Sequence, residues 1–555
     1  MSRLNRKYWV IYALILLLAA GWKAVLLWMD VFPFNSDEAI VGLMADHILV
    51  GNIPVFFYGQ AYMGSLDALL VSFLFNIFGQ QIILIRVVQS ILYLLTIITT
   101  VEIGRIGFSS IKSGFFAGIL MAVPAVNTTL YTTVSLGGYG ETLLIGNLII
   151  LFALKMHDLY QDRANRADNI KNVQKNNHKG LLWGWVLLLG VLIGLGFWAD
   201  GLTLVYSIPV VITLAVFAAK NHWITIKKGI VLPLLALVVG INIGALPCWI
   251  FVAQNGFPQL IHELTGSAVD VNQVHFIQAV WGRLVNFMLL GLSAFFGLRP
   301  SWQVNWLALP LIPFILIFWG WVIMATSFIM IKASKNRFLD TILTGIIGVL
   351  ILGFILTPFG NDPSGRYFLP LVVPFMLLAS RVIEKCLSQP ILRVAVIAGI
   401  VLFHFWGTWQ CVIQNPPGIT TQFDAVTIID HQKDEALIRF LAENGEYNGY
   451  TNYWVAYPLA FKTAEKIIYS PSLPYHQDFR YTSRDNRIKS YSDMADQSEK
   501  VAYITTNHPD LDQYLREKFD GAGITWKEQK IGNYQVFYRL SQAVRPWQIG
   551  LGENN

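Results

Sequence analysis

The chain has 555 residues, 55% of them hydrophobic and only 13% Asp, Glu, Lys or Arg, with a formal net charge of +6. A soluble domain carries about 25% charged residues, so a large soluble enzyme is excluded. Disordered, collagen-like and disulfide-stapled chains are excluded too, because apolar residues abound and there are only three cysteines. What remains is a helical membrane protein, since the apolar runs reach the roughly 20 residues of a spanning helix.

Runs of that length start near residues 8, 82, 113, 141, 181, 202, 229, 307, 339, 367 and 391. The first follows Arg3, Arg6 and Lys7 and has no small-residue cleavage site, so it reads as a retained anchor with its N-terminus inside. Two shorter apolar segments, 65–78 and 281–297, read as re-entrant or interfacial helices. The spacing therefore predicts eleven spans, or thirteen if both short segments cross. Eleven spans put most of the basic residues inside, among them Arg105, Lys112, Lys155 through Lys179, Lys227, Lys228, Lys335 and Arg381. Lys23, Arg86, Arg283, Arg299 and Arg366 are left elsewhere. Both counts are odd, which places the C-terminus outside. Cys248, Cys386 and Cys411 lie in or beside spans, so disulfides play no visible part.

The first outer loop, roughly 31–81, has no Lys or Arg but holds Asp37, Glu38, Asp46 and Asp67. Ser36-Asp37-Glu38 opens an amphipathic helix capped by Asn35 or Ser36, with Ile40, Leu43, Met44, His47 and Ile48 on one stripe and Gly51 as its stop. Such a helix would lie on the outer interface. The acidic pair reads either as a cap that the helix dipole favours or as a site. Phe56, Phe57, Tyr58, Gln60 and Tyr62 follow, and aromatics belong at interfaces by default.

The next outer loop, 127–141, contains Gly137, Gly138 and Gly140, and its only charge is Glu141. An acid at a membrane helix end needs a reason, although it also serves as a cap. Asp200, alone between two spans, fits a turn or the same cavity. Arg86 and Arg366 sit near outer ends of spans, where a guanidinium fork suits phosphate; Lys23 there suits snorkelling.

Residues 414–555 hold 33 of the 74 charged residues and form a separate, soluble part of the chain. Helices are expected over 434–445, near 455–462 and over 509–519. Strands are expected at 449–453, 466–470, 501–506, 523–531 and 534–540, the last two joined by Gly532-Asn533. The alternation predicts an extracytoplasmic α/β domain after a membrane domain of 1–413. No GxGxxG and no P-loop occurs, so no nucleotide cofactor is expected, and the basic pI of the membrane half does not imply nucleic acid. The aromatic run Tyr453, Trp454, Tyr457 and Phe461 reads mainly as core.

A basic N-terminus, one span and then Asp37-Glu38 on a juxtamembrane helix resemble the GT-C glycosyltransferases. The likeness is to the protein O-mannosyltransferases and aminoarabinose transferases grouped around glycosyltransferase family 39. The short helix at 65–78, the Arg86-containing span and Gly365-Arg366-Tyr367-Phe368-Leu369-Pro370 are similar to that family's elements in order and spacing. Where those enzymes carry His-Pro-Pro or Glu-Lys-Pro, this chain has Gly59-Gln60-Ala61-Tyr62.

The resemblance implies an inverting transfer of a sugar from a polyprenyl-phosphate donor to a hydroxyl of a lipid, glycan or protein acceptor, outside a bacterial or archaeal plasma membrane. Asp37, Glu38 and Glu141 would be the catalytic acids. Arg86, Arg366, Tyr58, Gln60 and Tyr367 would touch substrate, and Asp37 with Glu141 would hold a divalent metal ion. A transporter or lipid flippase is the alternative, against which the outer-face acids and the lack of internal repeats count.

Overall fold

The computed structural model describes residues 6–169, 177–220, 231–265, 275–332, 337–362, 364–415, 417–424 and 426–552. Lys171, Lys175, Lys227, Lys228 and Lys335, expected on the inner side, lie outside the described residues, as does Arg3.

In chain order the helices are α1 (Arg6–Trp28), α2 (Ser36–Leu49), α3 (Leu66–Phe78), α4 (Ile82–Gly107), α5 (Ile111–Ala122) and α6 (Val126–Tyr131), with strands β1 (Phe56–Phe57) and β2 (Gln60–Gly64) between α2 and α3. Then follow α7 (Tyr139–Asn169), α8 (Asn177–Ala199), α9 (Leu204–Lys220), α10 (Val231–Gly244), α11 (Leu246–Asn255), α12 (Phe257–Thr265) and α13 (Phe276–Val285). After α14 (Leu292–Phe295) come α15 (Ile312–Lys332), α16 (Phe338–Leu356), α17 (Val372–Cys386) and α18 (Pro390–Val412). The remainder runs α19 (Asp434–Asn444), β3 (Asn448–Tyr450), α20 (Tyr453–Lys462), β4 (Ile468–Ser470), α21 (Lys489–Gln497), β5 (Ala502–Thr506), α22 (Pro509–Gly521), β6 (Lys527–Ile531) and β7 (Tyr534–Tyr538).

Among the described residues, nine helices are long and apolar enough to cross a membrane. A tenth is reached if α10 and α11, bent by 63°, count as one broken span. The chain is a polytopic helical membrane protein with a C-terminal sheet region. Two expectations change. The span expected near 113 is α5, only 12 residues, about 18 Å of helix against a core of about 30 Å. Conversely, 281–297 belongs to a span-length stretch, Phe276–Phe295, in which a π turn over Asn286–Gly291 joins α13 to α14. That insertion disturbs the helical period from which a span is read.

The chain divides into two compact units. One comprises Met1–Trp28, Tyr62–Asp67 and Arg86–Cys411; the other comprises Met29–Ala61, Ala68–Ile85 and Val412–Asn555. Residues 31–81 thus fall mostly in the same unit as the C-terminal residues.

In the first unit, α8 and α10 pack backbone to backbone. A Cβ on Gly190, Gly194, Gly240 or Gly244 would fall 2.1–2.5 Å from a carbonyl oxygen of the facing helix, so each position admits glycine alone. Lys23 on α1 is buried and donates to the Thr132 carbonyl (2.6 Å) and the Thr133 hydroxyl (2.7 Å). It does not snorkel as expected, because these oxygens satisfy the ammonium inside the bundle.

In the second unit a five-stranded sheet has the order β4-β3-β5-β7-β6, with β3 parallel to β4 and β5, and β7 antiparallel to β5 and β6. Alternation along the strands splits the core between two faces. Ala502, Ile504 and Val536 pack with Leu437 and Leu441 of α19 and Leu459 of α20. Val501, Tyr503 and Phe537 pack with Leu511, Leu515 and Phe519 of α22. Gly445 ends α19 at φ 66° and Gly532 turns the β6–β7 hairpin at φ 59°.

Helix α2 is capped by the Asn35 side chain, which accepts from the Glu38 amide at 3.0 Å. It is not an interfacial amphipathic helix: Glu38 through Ala45 are all buried. The reason is the cover supplied by α20. A Cβ on Gly42 would fall 2.3 Å from the Phe461 ring, and Phe34 and Phe75 also meet that ring. Burying Ile40, Val41, Leu43 and Met44 stabilises this packing by about 1.5–3 kcal/mol each before entropy is counted.

Candidate active site

The residues singled out in the sequence fall into both units, and each set is described by itself. Asp37, Glu38, Tyr58 and Gln60 belong to the second unit; Glu141, Arg86, Arg366 and Tyr367 belong to the first.

In the second unit, Asn35 starts α2 so that Asp37 and Glu38 stand in its first turn, where the dipole favours anions. Glu38 is fully buried, whereas Asp37 is partly exposed. The Tyr453 hydroxyl donates to Asp37 Oδ1 at 2.6 Å, and the Ser36 hydroxyl donates to the Tyr453 carbonyl at 2.6 Å. At the other end of α2, His47 Nδ1 meets the Tyr58 hydroxyl at 2.8 Å, and His47 Nε2 lies 3.2 Å from Glu465. The hydrogen bond with Glu465 raises the His47 pKa against the effect of burial, and the same bond lowers Glu465. Burial pushes the neighbouring Asp46 carboxyl up to about 6. Arg487 donates to the Gly59 carbonyl at 3.0 Å, so the turn before Gln60 is pinned by its backbone. Tyr58 is held by His47, and Gln60 also makes contacts.

In the first unit, the chain between α6 and α7 turns through Gly137 and Gly138, at φ 80° and 77°. Glycine is required at 138 on a second count: a Cβ there would lie 3.0 Å from the Ala199 carbonyl and 3.1 Å from Asp200 Cβ. A Cβ on Gly140 would fall 2.2 Å from Gln89 Oε1. These close approaches bring Glu141, Asp67 and Asp200 into electrostatic range of one another. Glu141 is buried, and neither carboxylate oxygen has a hydrogen-bond partner among the described residues; Gln89 flanks it outside hydrogen-bond geometry. Asp67 accepts from the Ser135 hydroxyl.

Asp200 both makes the turn and lies in electrostatic range of Glu141. It accepts from the Leu202 amide (2.8 Å) and the Thr142 hydroxyl (3.2 Å). Burial pushes its carboxyl up to about 6 despite those donors and the pull of Arg366.

Arg366 pairs with Asp362 at 2.6 Å and lies 5.0 Å over the Tyr367 ring. Tyr62, Tyr139 and Asp200 are within its field. Its Nε is buried with no partner among the described residues. Tyr367 is buried with its ring against Phe359. Arg86 is buried in the first turn of α4 and has contacts of its own.

Sequence reasoning gave no role to Asp67, and it took Tyr453 as core. The first was visible only as one acid among four in the loop. The second had a signal, Asn452 as a cap after a strand, that placed a helix start but not its target.

Among the described residues no three His, Cys, Asp or Glu side chains converge as a metal site requires. The expected metal pair, Asp37 with Glu141, is divided between the two units.

The chain shares its fold with solved structures of ArnT and of an archaeal oligosaccharyltransferase. No protein-family model and no curated protein sequence matches the chain. Solved structures do. The chain is similar to ArnT from Cupriavidus metallidurans bound to undecaprenyl phosphate, with a TM-score of 0.58 at 12% identity, over 96% of this chain and 98% of that one. It is also similar to the oligosaccharyltransferase AglB of Archaeoglobus fulgidus in complex with an inhibitory peptide and a dolichol-phosphate, with a TM-score of 0.51 at 11% identity, over 98% and 74% of the two chains. The A. fulgidus oligosaccharyltransferase in complex with Zn and sulfate gives 0.54 at 14%, over 92% and 69%.

Proposed function

We propose that the protein is an inverting glycosyltransferase that moves a sugar from a polyprenyl-phosphate donor to an acceptor hydroxyl on the extracytoplasmic face. The observation that carries the reading is the buried cluster of the first unit. Among the described residues Glu141 has no hydrogen-bond partner; it lies in electrostatic range of Asp67 and Asp200, in the unit that holds Arg366, whose Nε is likewise without one. A buried polar group left unmatched is costly, and sites that bind ligand are where such cost is kept. The fold shared with ArnT and AglB supports the same class, and the lipids named with those two proteins support a phosphate-linked carrier here.

Asp37 acts as general base, taking the acceptor hydroxyl's proton as its oxygen attacks the anomeric carbon. The bond from that carbon to the phosphate oxygen breaks, and the electron pair leaves with the lipid phosphate. Arg366 and Arg86 offset the charge on that phosphate. Glu38, Glu141, Tyr58, Gln60 and Tyr367 orient the substrates. Residues 1–413 serve as the membrane catalytic part and 414–555 as an extracytoplasmic α/β domain. The acceptor is a lipid, a glycan or a protein.

The test is deletion of the gene with mass analysis of surface glycans, glycolipids and glycoproteins, followed by assay of the purified protein. The assay measures polyprenyl phosphate released from a panel of polyprenyl-phosphate sugars, with membranes of the deletion strain as acceptor. Asp37→Asn is expected to lower release by roughly 10²–10⁴-fold while the protein stays folded and inserted. Full release by that variant removes Asp37 from its role.

A further inference from the structure

We propose that Tyr453, at the start of α20, is a positioning residue for transfer: its hydroxyl fixes Asp37 Oδ1 and leaves Oδ2 as the oxygen that accepts the proton. The inference rests on the reading of Asp37 as general base.

The geometry is specific at both ends of the contact. The Tyr453 hydroxyl donates to Asp37 Oδ1 at 2.6 Å, the short distance of a bond to a charged acceptor. No other hydrogen bond to the Asp37 carboxylate occurs among the described residues, so Oδ2 is open while the carboxylate plane is set. Asp37 is partly exposed, whereas Glu38 beside it is sealed, so of the pair only Asp37 is open to an acceptor.

Tyr453 itself has little freedom. Asn452 caps α20 by accepting from the Trp454 amide at 3.0 Å, and its own amide donates to the Thr506 hydroxyl at 2.8 Å, tying the helix start to the end of β5. Ser36 bonds the Tyr453 carbonyl, one residue before Asp37. The ring is buried, edge-on to Trp454 and Tyr457 with centroids 5.1 and 5.4 Å away, and the Arg487 guanidinium lies 5.7 Å from its centroid. A tyrosine pinned by sheet, cap and stacked rings places its hydroxyl with the precision that a catalytic group's support must have.

Removing the hydroxyl lets the carboxylate rotate, so Oδ2 is less often held toward the acceptor and kcat falls while KM for the donor holds. The charged and titratable groups around this contact are Glu38 on α2, Tyr453 and Tyr457 on α20, and Arg487 before α21.

The experiment compares the full-length protein with Tyr453→Phe and Asp37→Asn in the phosphate-release assay. Tyr453→Phe is expected to lower kcat roughly 10-fold with little change in KM for the donor. Fluorinated tyrosine at 453 keeps the ring and the donor and should keep kcat within a few-fold of the natural protein, which tests the contact even if the Phe variant folds poorly. Natural kcat in Tyr453→Phe overturns the inference, and so does a loss as large in the fluorinated variant. If Asp37→Asn is inactive in that case, the reading of Asp37 survives and the role of Tyr453 alone fails. Full activity of Asp37→Asn overturns both.

Discussion

Two buried carboxylates, one in each unit, have opposite surroundings. Asp434 at the start of α19 accepts from Tyr534, from Lys462 at 2.7 Å and from His431 at 2.9 Å. Burial opposes its charge, yet His431 and Lys462 outweigh that and hold the carboxyl down at about 2. Glu141 at the start of α7 is as deeply buried, with no hydrogen-bond partner among the described residues and with two other carboxylates in range. A carboxylate matched on several sides contributes to the fold. One left unmatched subtracts from it, and is retained where a ligand completes it. The first unit also holds a paired buried charge, Asp340 on α16 with Arg381 on α17.

The contrast is broken or sharpened by three substitutions. Glu141→Gln has the largest expected effect, a loss of phosphate release of about 10²-fold or more, with an unfolding temperature that holds because the carboxyl it replaces makes no hydrogen bond among the described residues. A variant both inactive and much less stable would make Glu141 structural and erase the contrast. Arg381→Met leaves Asp340 buried without its cation and should cost about 3–5 kcal/mol in denaturant unfolding of the detergent-solubilised protein. Asp434→Asn comes last, at about 2 kcal/mol, the worth of a carboxyl lowered from 3.8 to about 2. Its sign with pH is fixed. The unfolded carboxyl takes its proton first, so the stabilisation is complete above about pH 4 and is lost as pH falls toward 2. Unfolding measured across that window should weaken in the natural protein and change less in the Asn variant.

Local chemistry was legible in the sequence and long-range pairing was not. Asn35 as the cap of α2, Gly445 as the end of α19 and the Gly532-Asn533 hairpin follow from what single residues prefer, and all stand as expected. The four strands later in sequence than α20 were each placed within a few residues, the start of β6 least well, while α21, whose composition is mostly polar, was missed. The π turn at Asn286–Gly291 escapes periodicity because it breaks it. The burial of α2 was misread because its cover, Phe461, lies some 400 positions on, where no pattern near α2 can announce it. For the site, the acids and arginines stood out by rarity in an apolar chain. Which carboxylate has donors and which has none is decided by Tyr453, Ser135 and Thr142, residues too common to single out.

The bond from Ser36 to Tyr453 joins residues 417 positions apart. At a synthesis rate of about 5–20 residues per second, α2 leaves the ribosome roughly 20–80 s before the helix that covers it. For that time the Gly42 face of α2 lacks the Phe461 ring that packs on it. Only a chain made through α20 can close that packing, so the first residues after α1 are among the last to reach their final contacts.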